Sequence, residues 1–327
     1  MHHMTRREFA AMVAAGTIAV REARPFAFSQ GTPGGAVTAA ELVDRIRRNI
    51  GVAWQDETVD TVKAGNPATR VTGVATTALA SMAVLQQAVK AGANVVISSE
   101  PTFYSRADSP TPPAGRGRGR GAAGAPAGMG AGANQGAPTP PPDPVFAAKN
   151  ELIARHGLVI FRLSDHWRLR TPDPFAAGFA SLLGWTAHQS AADPRRFDLP
   201  ASAATTLGDL ATTLATGLRT RGGMRIIGDA ATRVQRVGLL AGSTPIQASL
   251  AMLPHVDAIV AGEVREWESV EYARDAVYSG QRKGVILLGR VVSEEPGMAA
   301  CAEWIRTLVP EVEVRHLPAG DPYWRPA

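Results

Sequence analysis

Asn94-Val95-Val96-Ile97-Ser98-Ser99-Glu100-Pro101 is an apolar run of strand length that stops on a polar cluster containing a carboxylate. Three other stretches repeat that form. Leu158–Leu163 leads into Ser164-Asp165-His166-Trp167, and Ala258–Val260 leads into Ala261-Gly262-Glu263. Val285–Leu288 leads into Gly289-Arg290-Val291-Val292-Ser293-Glu294. Short apolar runs without alternation read as strands buried on both faces, as in a parallel sheet covered by helices. In such sheets ligands collect in the crevice beyond the carboxyl ends of the strands, so acids from distant segments are placed to converge there.

The segments between these runs carry a helical period. Thr38–Gly51 places Leu42, Ile46 and Ile50 on one face behind a capping Thr38, and Thr77–Ala91 is a helix with Leu79, Met82, Val84, Leu85 and Val89 facing inward. Arg70–Ala75 reads as a further strand. Beyond 143 the sequence predicts helix Pro144–Gly157, strand Leu158–Leu163 and helix Pro174–Trp185, then a loop over 186–206 and a helix over Leu207–Leu218. A second strand–helix series follows, with strands at Val234–Leu240, Asp257–Val260 and Val285–Leu288 and helices at Pro245–Pro254, Val264–Tyr278 and Pro296–Val309. It closes on edge strand Val312–His316. The expected architecture is a two-lobed α/β fold with mostly parallel sheets flanked by helices, one lobe over 38–190 and the other over 222–320.

Composition narrows the function classes. The chain has 327 residues, 45% of them hydrophobic, and a net charge of +5. No uncharged apolar stretch reaches the roughly 18 to 20 residues of a membrane span. Most of the excess charge lies in the first 29 residues and in the segment 105–143. Arg6, Arg7, Arg21 and Arg24 face only Glu8 and Glu22 near the start, and Arg106, Arg116, Arg118 and Arg120 face only Asp108 and Asp143 in the segment 105–143. The lobes are therefore close to neutral, which argues against a nucleic-acid-binding face. The segment 105–143 is built almost wholly of Gly, Ala, Pro, Arg, Ser, Thr and Asn and is read as a disordered insertion. Its Arg116-Gly117-Arg118-Gly119-Arg120-Gly121 tract lacks interleaved aromatics and is read as solvated loop.

The single cysteine, Cys301, excludes an intramolecular disulfide and fits a helix as a small buried hydrophobe. Met4-Thr5-Arg6-Arg7-Glu8-Phe9 followed by the apolar Ala10–Val20 has the form of a twin-arginine export signal, residues 1–29, with Ala27-Phe28-Ser29 as its cleavage site. Export to the periplasm or beyond is the expectation. Met1-His2-His3 precede the leader's own methionine and are not counted as ligands.

The order and spacing of Asn94–Phe103, of Val237–Ser243 with Val256–Glu263, and of Val285–Gly297 resemble the Nif-three-like dinuclear-metal-centre family over most of 38–318. That resemblance implies ring-shaped hexamers of two-lobed α/β subunits. It also implies two divalent metals between the lobes, and a GTP-cyclohydrolase-like or hydrolase-like activity on an unsettled substrate. The family's first metal motif, His-His-Pro at a strand end, corresponds here to Ser99-Glu100-Pro101. Its last, Gly-His with Glu four residues after the His, corresponds to Gly289-Arg290 with Glu294. Its intermediate His or Asp region falls at Asp165-His166.

Two readings of this altered pocket lead, and an intact two-metal site is the third. In one, Glu100, Asp165 and Glu294, with His166, hold a single divalent metal (Mg, Mn, Ca or Zn) for a hydrolase-type reaction. In the other, Arg290 pairs with the carboxylates in the metal's stead, leaving a non-catalytic hexameric scaffold or a small-anion binder. No nucleotide fingerprint, phosphate-cradling loop or Ser-His-Asp order is present, so no nucleotide cofactor is expected.

Overall fold

In a computed structural model, residues 37–112, 143–200, 205–220, 223–324 and 326 are described. The segment read as an export leader and residues 113–142 of the segment read as an insertion lie outside the described residues.

The first sheet is built from β1 (Val62–Ala64), β2 (Gly73–Thr77), β3 (Val95–Ser98), β4 (Val159–Arg162) and β12 (Glu313–His316), in the spatial order β1-β4-β3-β2-β12. Every neighbouring pair in it runs parallel except β1 with β4. The second sheet uses β5 (Arg196–Asp198), β7 (Arg225–Ile227), β9 (Arg236–Ser243), β10 (Ala258–Glu263) and β11 (Gly284–Leu287), in the order β5-β9-β10-β11-β7. Its three central strands are parallel, and both edges are antiparallel. A two-residue ladder joins β6 (Thr205–Thr206) and β8 (Arg233–Val234). β5 and β6 lie within the stretch 186–206 that reads as loop, β1 and β7 lie where no element is predicted, and β8 takes Val234 from the start of the predicted strand Val234–Leu240.

Every residue of β2, β3, β4 and β11 is buried, as uninterrupted apolar runs require when both faces are covered. Alternate residues then serve opposite cores. On one side of the first sheet, Val95, Ile97 and Phe161 pack with Leu42 and Ile46 of α1 (Ala39–Asn49). On the other, Val96 and Ile160 pack with Leu85 of α2 (Met82–Lys90) and Ile153 of α3 (Pro144–Arg155). The second sheet is flanked in the same way. Leu239 and Ile286 meet Phe179 of α5 (Pro174–Leu183) and Leu210 of α6 (Leu207–Leu218). Leu240 and Ile259 meet Met252 of α7 (Ile246–Met252) and Ala276 of α8 (Glu271–Tyr278). The fold is thus α/β, with mostly parallel sheets between helices. Caps fall at residues suited to them: Thr38 accepts from the Glu41 amide at 3.2 Å, and Thr206 with Asp209 closes a capping box on α6.

One helix ties the sheets together. The sequence places a helix start at Pro296, whose missing N–H suits a first turn, but α9 spans Arg290–Leu308 with Pro296 inside it. The earlier start follows from packing. Val292 enters the core of the second sheet, while Met298, Cys301 and Ile305 enter that of the first. Gly178 of α5 lies against the Pro296 carbonyl with no space for a Cβ, so α5 and α9 approach at backbone distance. Strand β12 follows α9 and pairs with β2 in parallel, Val314 opposite Val74, so the last strand of the second series is an edge of the first sheet. The described residues form one compact unit.

Of the segment read as an insertion, residues 105–112 are described. Asp108 is buried and accepts from the Phe103 amide at 2.7 Å, which anchors this part of the loop over the end of β3.

Candidate functional site

Beyond the carboxyl end of β3 the chain continues as Ser99-Glu100, and beyond β11 it turns at Gly289 into α9, whose first turns carry Arg290, Ser293 and Glu294. These segments meet. Ser99 Oγ lies 2.7 Å from Glu294 Oε2 and 3.1 Å from the Ala78 carbonyl, so its proton is shared between two acceptors. Arg290 pairs with Glu100 through Nη2 and Oε2. Arg168, on the short helix α4 (Asp165–Leu169) that follows β4, pairs with Glu294 through Nη2 and Oε1, with Glu100 Oε1 3.8 Å away. Two acids and two arginines thus form one linked cluster.

Exposure divides the cluster. The side chains of Glu100 and Glu294 are 5% and 0% exposed, whereas those of Arg168 and Arg290 are 34% and 37% exposed. The carboxylates sit behind and the guanidinia face outward. Backbone and hydroxyl contacts hold this order. Ser293 Oγ donates to the Arg290 carbonyl at 2.7 Å and accepts from the Gly242 amide at 2.9 Å, which ties the start of α9 to the end of β9. Gly242 has φ +80°, and a Cβ there would run into Glu294 Oε1 and stand 2.8 Å from Arg168 Nη2. Only a glycine fits both the turn and the close approach of the ion pair. The Arg168 guanidinium also lies 4.4 Å from the ring centroid of Phe175, which fixes its plane.

Burial, reinforced by the neighbouring Glu294 carboxylate, raises Glu100 from the ordinary carboxylate range to about 7, although Arg290 pulls the other way. Near neutral pH this acid is therefore poised between its two forms, and the cluster carries a slight excess of positive charge whenever Glu100 is protonated.

Asp165 and His166 are not brought into this cluster. His166 is fully buried, stacked on Trp54 with ring centroids 3.8 Å apart. Its Nε2 accepts from the Gln55 amide at 2.9 Å. A backbone amide can only donate, so the ring proton resides on Nδ1 and is given to Asp60 Oδ2 at 2.7 Å. Asp60 also accepts from the amides of Ser164 at 2.6 Å, Asp165 at 3.0 Å and His166 at 2.8 Å, capping α4. Asp165 Oδ2 accepts from Thr58 Oγ1 at 2.9 Å and the Val59 amide at 3.1 Å. The reason is the path of residues 54–60, which crosses the end of β4 and turns both side chains toward itself. Glu263 is exposed at the end of β10 and takes no part in the cluster.

This donor set does not fit a dinuclear metal centre. Each carboxylate of the cluster is already paired to a guanidinium, and the imidazole and third carboxylate are spent on the 54–60 loop. Among the described residues, no group of three or more His, Cys, Asp or Glu side chains is arranged to hold a metal ion. Of the expected residues, Ser99, Glu100, Arg290 and Glu294 come together, and Asp165 and His166 stand apart. Arg168, Ser293 and Gly242 belong to the site without having been singled out from the sequence. Only the position of Arg168 just past the end of β4 hinted at it. A cavity of about 180 Å³ opens beside the cluster, lined by Arg168, Phe175, Leu240, Ala241 and Thr244 among others.

No family model matches this sequence, and neither does any curated protein. Solved structures do match. A Bacillus cereus protein related to NIF3 aligns at TM-score 0.62 and 12% identity over 90% of this chain and 100% of its own. The protein ybgI, of unknown function, aligns at 0.61 and 20% identity over 89% of this chain and all of its own. The Staphylococcus aureus protein SA1388 aligns at 0.60 and 13% identity, covering 89% and 99% respectively.

Proposed function

We propose, on the premise that this chain carries the NIF3-like fold, that it is a small-anion-binding protein whose arginine–carboxylate cluster stands where the family resemblance places metals. The observation that carries this reading is the pairing of Glu100 with Arg290 and of Glu294 with Arg168, with both guanidinia partly exposed and that of Arg168 lining a cavity. A carboxylate buried without a cation is costly, so the arginines do for Glu100 and Glu294 what a metal would otherwise do. A planar guanidinium held on one edge by a carboxylate keeps further N–H groups for a second anion, often in bidentate geometry. A divalent cation would have to displace two guanidinia or sit against their charge. The alternative, a divalent-metal-dependent hydrolase, needs at least three hard donors around one ion, and this site brings two carboxylates that are already paired.

The test is calorimetric titration of chelator-treated protein with Mn2+ and Zn2+, alongside inorganic phosphate and acetate. Wild type is expected to bind phosphate or acetate but no stoichiometric metal. The double variant Arg168→His, Arg290→His is expected to gain divalent-metal binding, because it removes the competing charges and adds two imidazoles. Stoichiometric binding of one or two metals by wild type overturns the proposal.

Two further readings join this proposal. Assembly into a homo-oligomer, a hexamer by the resemblance, is tested by light scattering on purified protein. Export by the twin-arginine route rests on Arg6-Arg7 and Ala10–Val20, and a mature N-terminus near Gln30 in native protein is the expected result. Among the described residues, no helix is long and apolar enough to cross a membrane.

A further inference from the structure

The cavity beside Arg168 does not end at its own walls. A second cavity of about 370 Å³ adjoins it, and Arg195 and Ala248 line both. The second space lies between the segment Ala192–Arg196 and the helix α7, with Arg196 and His255 on its polar side and Ala251 and Met252 on its apolar side.

Both spaces contain polar groups that the protein leaves unsatisfied. Thr244 Oγ1 in the first and Arg196 Nε in the second are buried and make no hydrogen bond. Buried polar atoms without partners are few in folded proteins, and each calls for an explanation. A ligand that supplies acceptors to both is one explanation.

The acids along the groove are already committed. Asp173 caps α5 by accepting from the amides of Phe175 at 2.9 Å and Ala176 at 3.3 Å. Asp193 holds Arg195 bidentately, with Nε and Nη2 each at 3.0 Å. Arg196 is near enough to Asp193 to help hold that carboxylate below its ordinary range, but the direct pairing of Asp193 is with Arg195. The groove therefore has Arg168 toward one end and Arg196 toward the other, and between them Ala248 lines both spaces beside Arg195, whose charge is met by Asp193.

We propose that the two cavities form one groove for a small organic dianion, with one anionic group at Arg168, the other at Arg196, and an aliphatic chain along Ala248. This rests on the reading of the Arg168 cluster as an anion site and adds a substrate class to it. Pockets of this size bury most of a small ligand and use a few polar groups to fix its orientation. Two charged ends at a set separation select ligands by length as well as by charge.

Calorimetry on the full chain with straight-chain α,ω-dicarboxylates of increasing length, each against the monocarboxylate of equal length, tests this. One dicarboxylate is expected to bind about tenfold tighter than its monocarboxylate, a gain typical of one added charge-assisted contact. Arg196→Gln is expected to abolish that gain and leave monocarboxylate affinity unchanged. That variant keeps both buried ion pairs, and its melting curve should match wild type. Equal affinities across the series, or equal weakening of both ligand types by Arg196→Gln, overturns the dianion groove while leaving the anion site standing. Failure of every carboxylate and of phosphate to bind in an Arg168-dependent way overturns the anion site itself, and the groove with it.

Discussion

Strands β3 and β4 lie side by side in the first sheet and end in similar sequence, Ser98-Ser99-Glu100 and Ser164-Asp165-His166. Their carboxylates meet opposite fates. Behind β4, Asp60 comes from the 54–60 loop and takes up four donors, three amides and an imidazole, so that the polar groups of α4's first turn are satisfied inside the protein. Behind β3, Glu100 and Glu294 are met by arginine side chains that reach solvent, with a cavity beyond. The first arrangement fixes a loop. The second holds charge at a surface that a ligand can reach. A strand-end acid signals a site only when its partners leave binding capacity over.

On that contrast, the β4 end carries the larger share of stability. Asp60→Ala strips the acceptors from three buried amides and from the His166 imidazole, and is expected to cost about 3–5 kcal/mol in urea unfolding. Asp60→Asn, which retains one acceptor oxygen, should recover part of this. A loss below about 1 kcal/mol for Asp60→Ala would mean the loop is held elsewhere.

The β3 end is expected to show itself in pH dependence. Glu100 titrates at about 7 in the folded protein, against an ordinary value of 4.5. Between those values the folded chain binds more protons than the unfolded one. The contribution of Glu100 is therefore fully present below pH 4.5 and is lost as pH rises through 7. The loss is at most about 3.5 kcal/mol, since each tenfold change in proton affinity is worth about 1.4 kcal/mol. Glu100→Gln, which cannot ionise, should flatten unfolding free energy against pH over this window. An unchanged slope would place the titrating group elsewhere.

The smallest effect belongs to an ion pair of the same composition in open solvent. Arg225 and Glu266 are paired with side chains 71% and 66% exposed, and Glu266→Ala is expected to change stability by less than about 0.5 kcal/mol. A larger change would show that exposure does not separate this pair from the Arg290–Glu100 pair.

Much of the fold was legible because strands and helices follow from local patterns. The unbroken apolar runs at Val95–Ile97 and Val285–Leu287 admit few other readings, and the predicted helix over Leu207–Leu218 coincides with the observed one. The early start of α9 was not legible. Its first turn lacks a capping side chain, and what holds it is packing of Val292 and the Ser293 contact to Gly242. Part of the site was visible in the same way: Ser99, Glu100, Arg290 and Glu294 lie at or shortly beyond strand ends, where ligand crevices form in such sheets.

The sequence by itself determined the α/β class, the strand ends at which polar groups gather, and the presence of Glu100 and Arg290 where the family resemblance places imidazoles. Tertiary structure alone decided which of those groups face one another. A side chain's direction beyond a strand end depends on the loop that crosses it, and residues 54–60 turn Asp165 and His166 away. It also decided that Arg168, from a five-residue helix without a periodic signal, completes the cluster, because only the approach of α4 to α9 at Gly242 sets that distance.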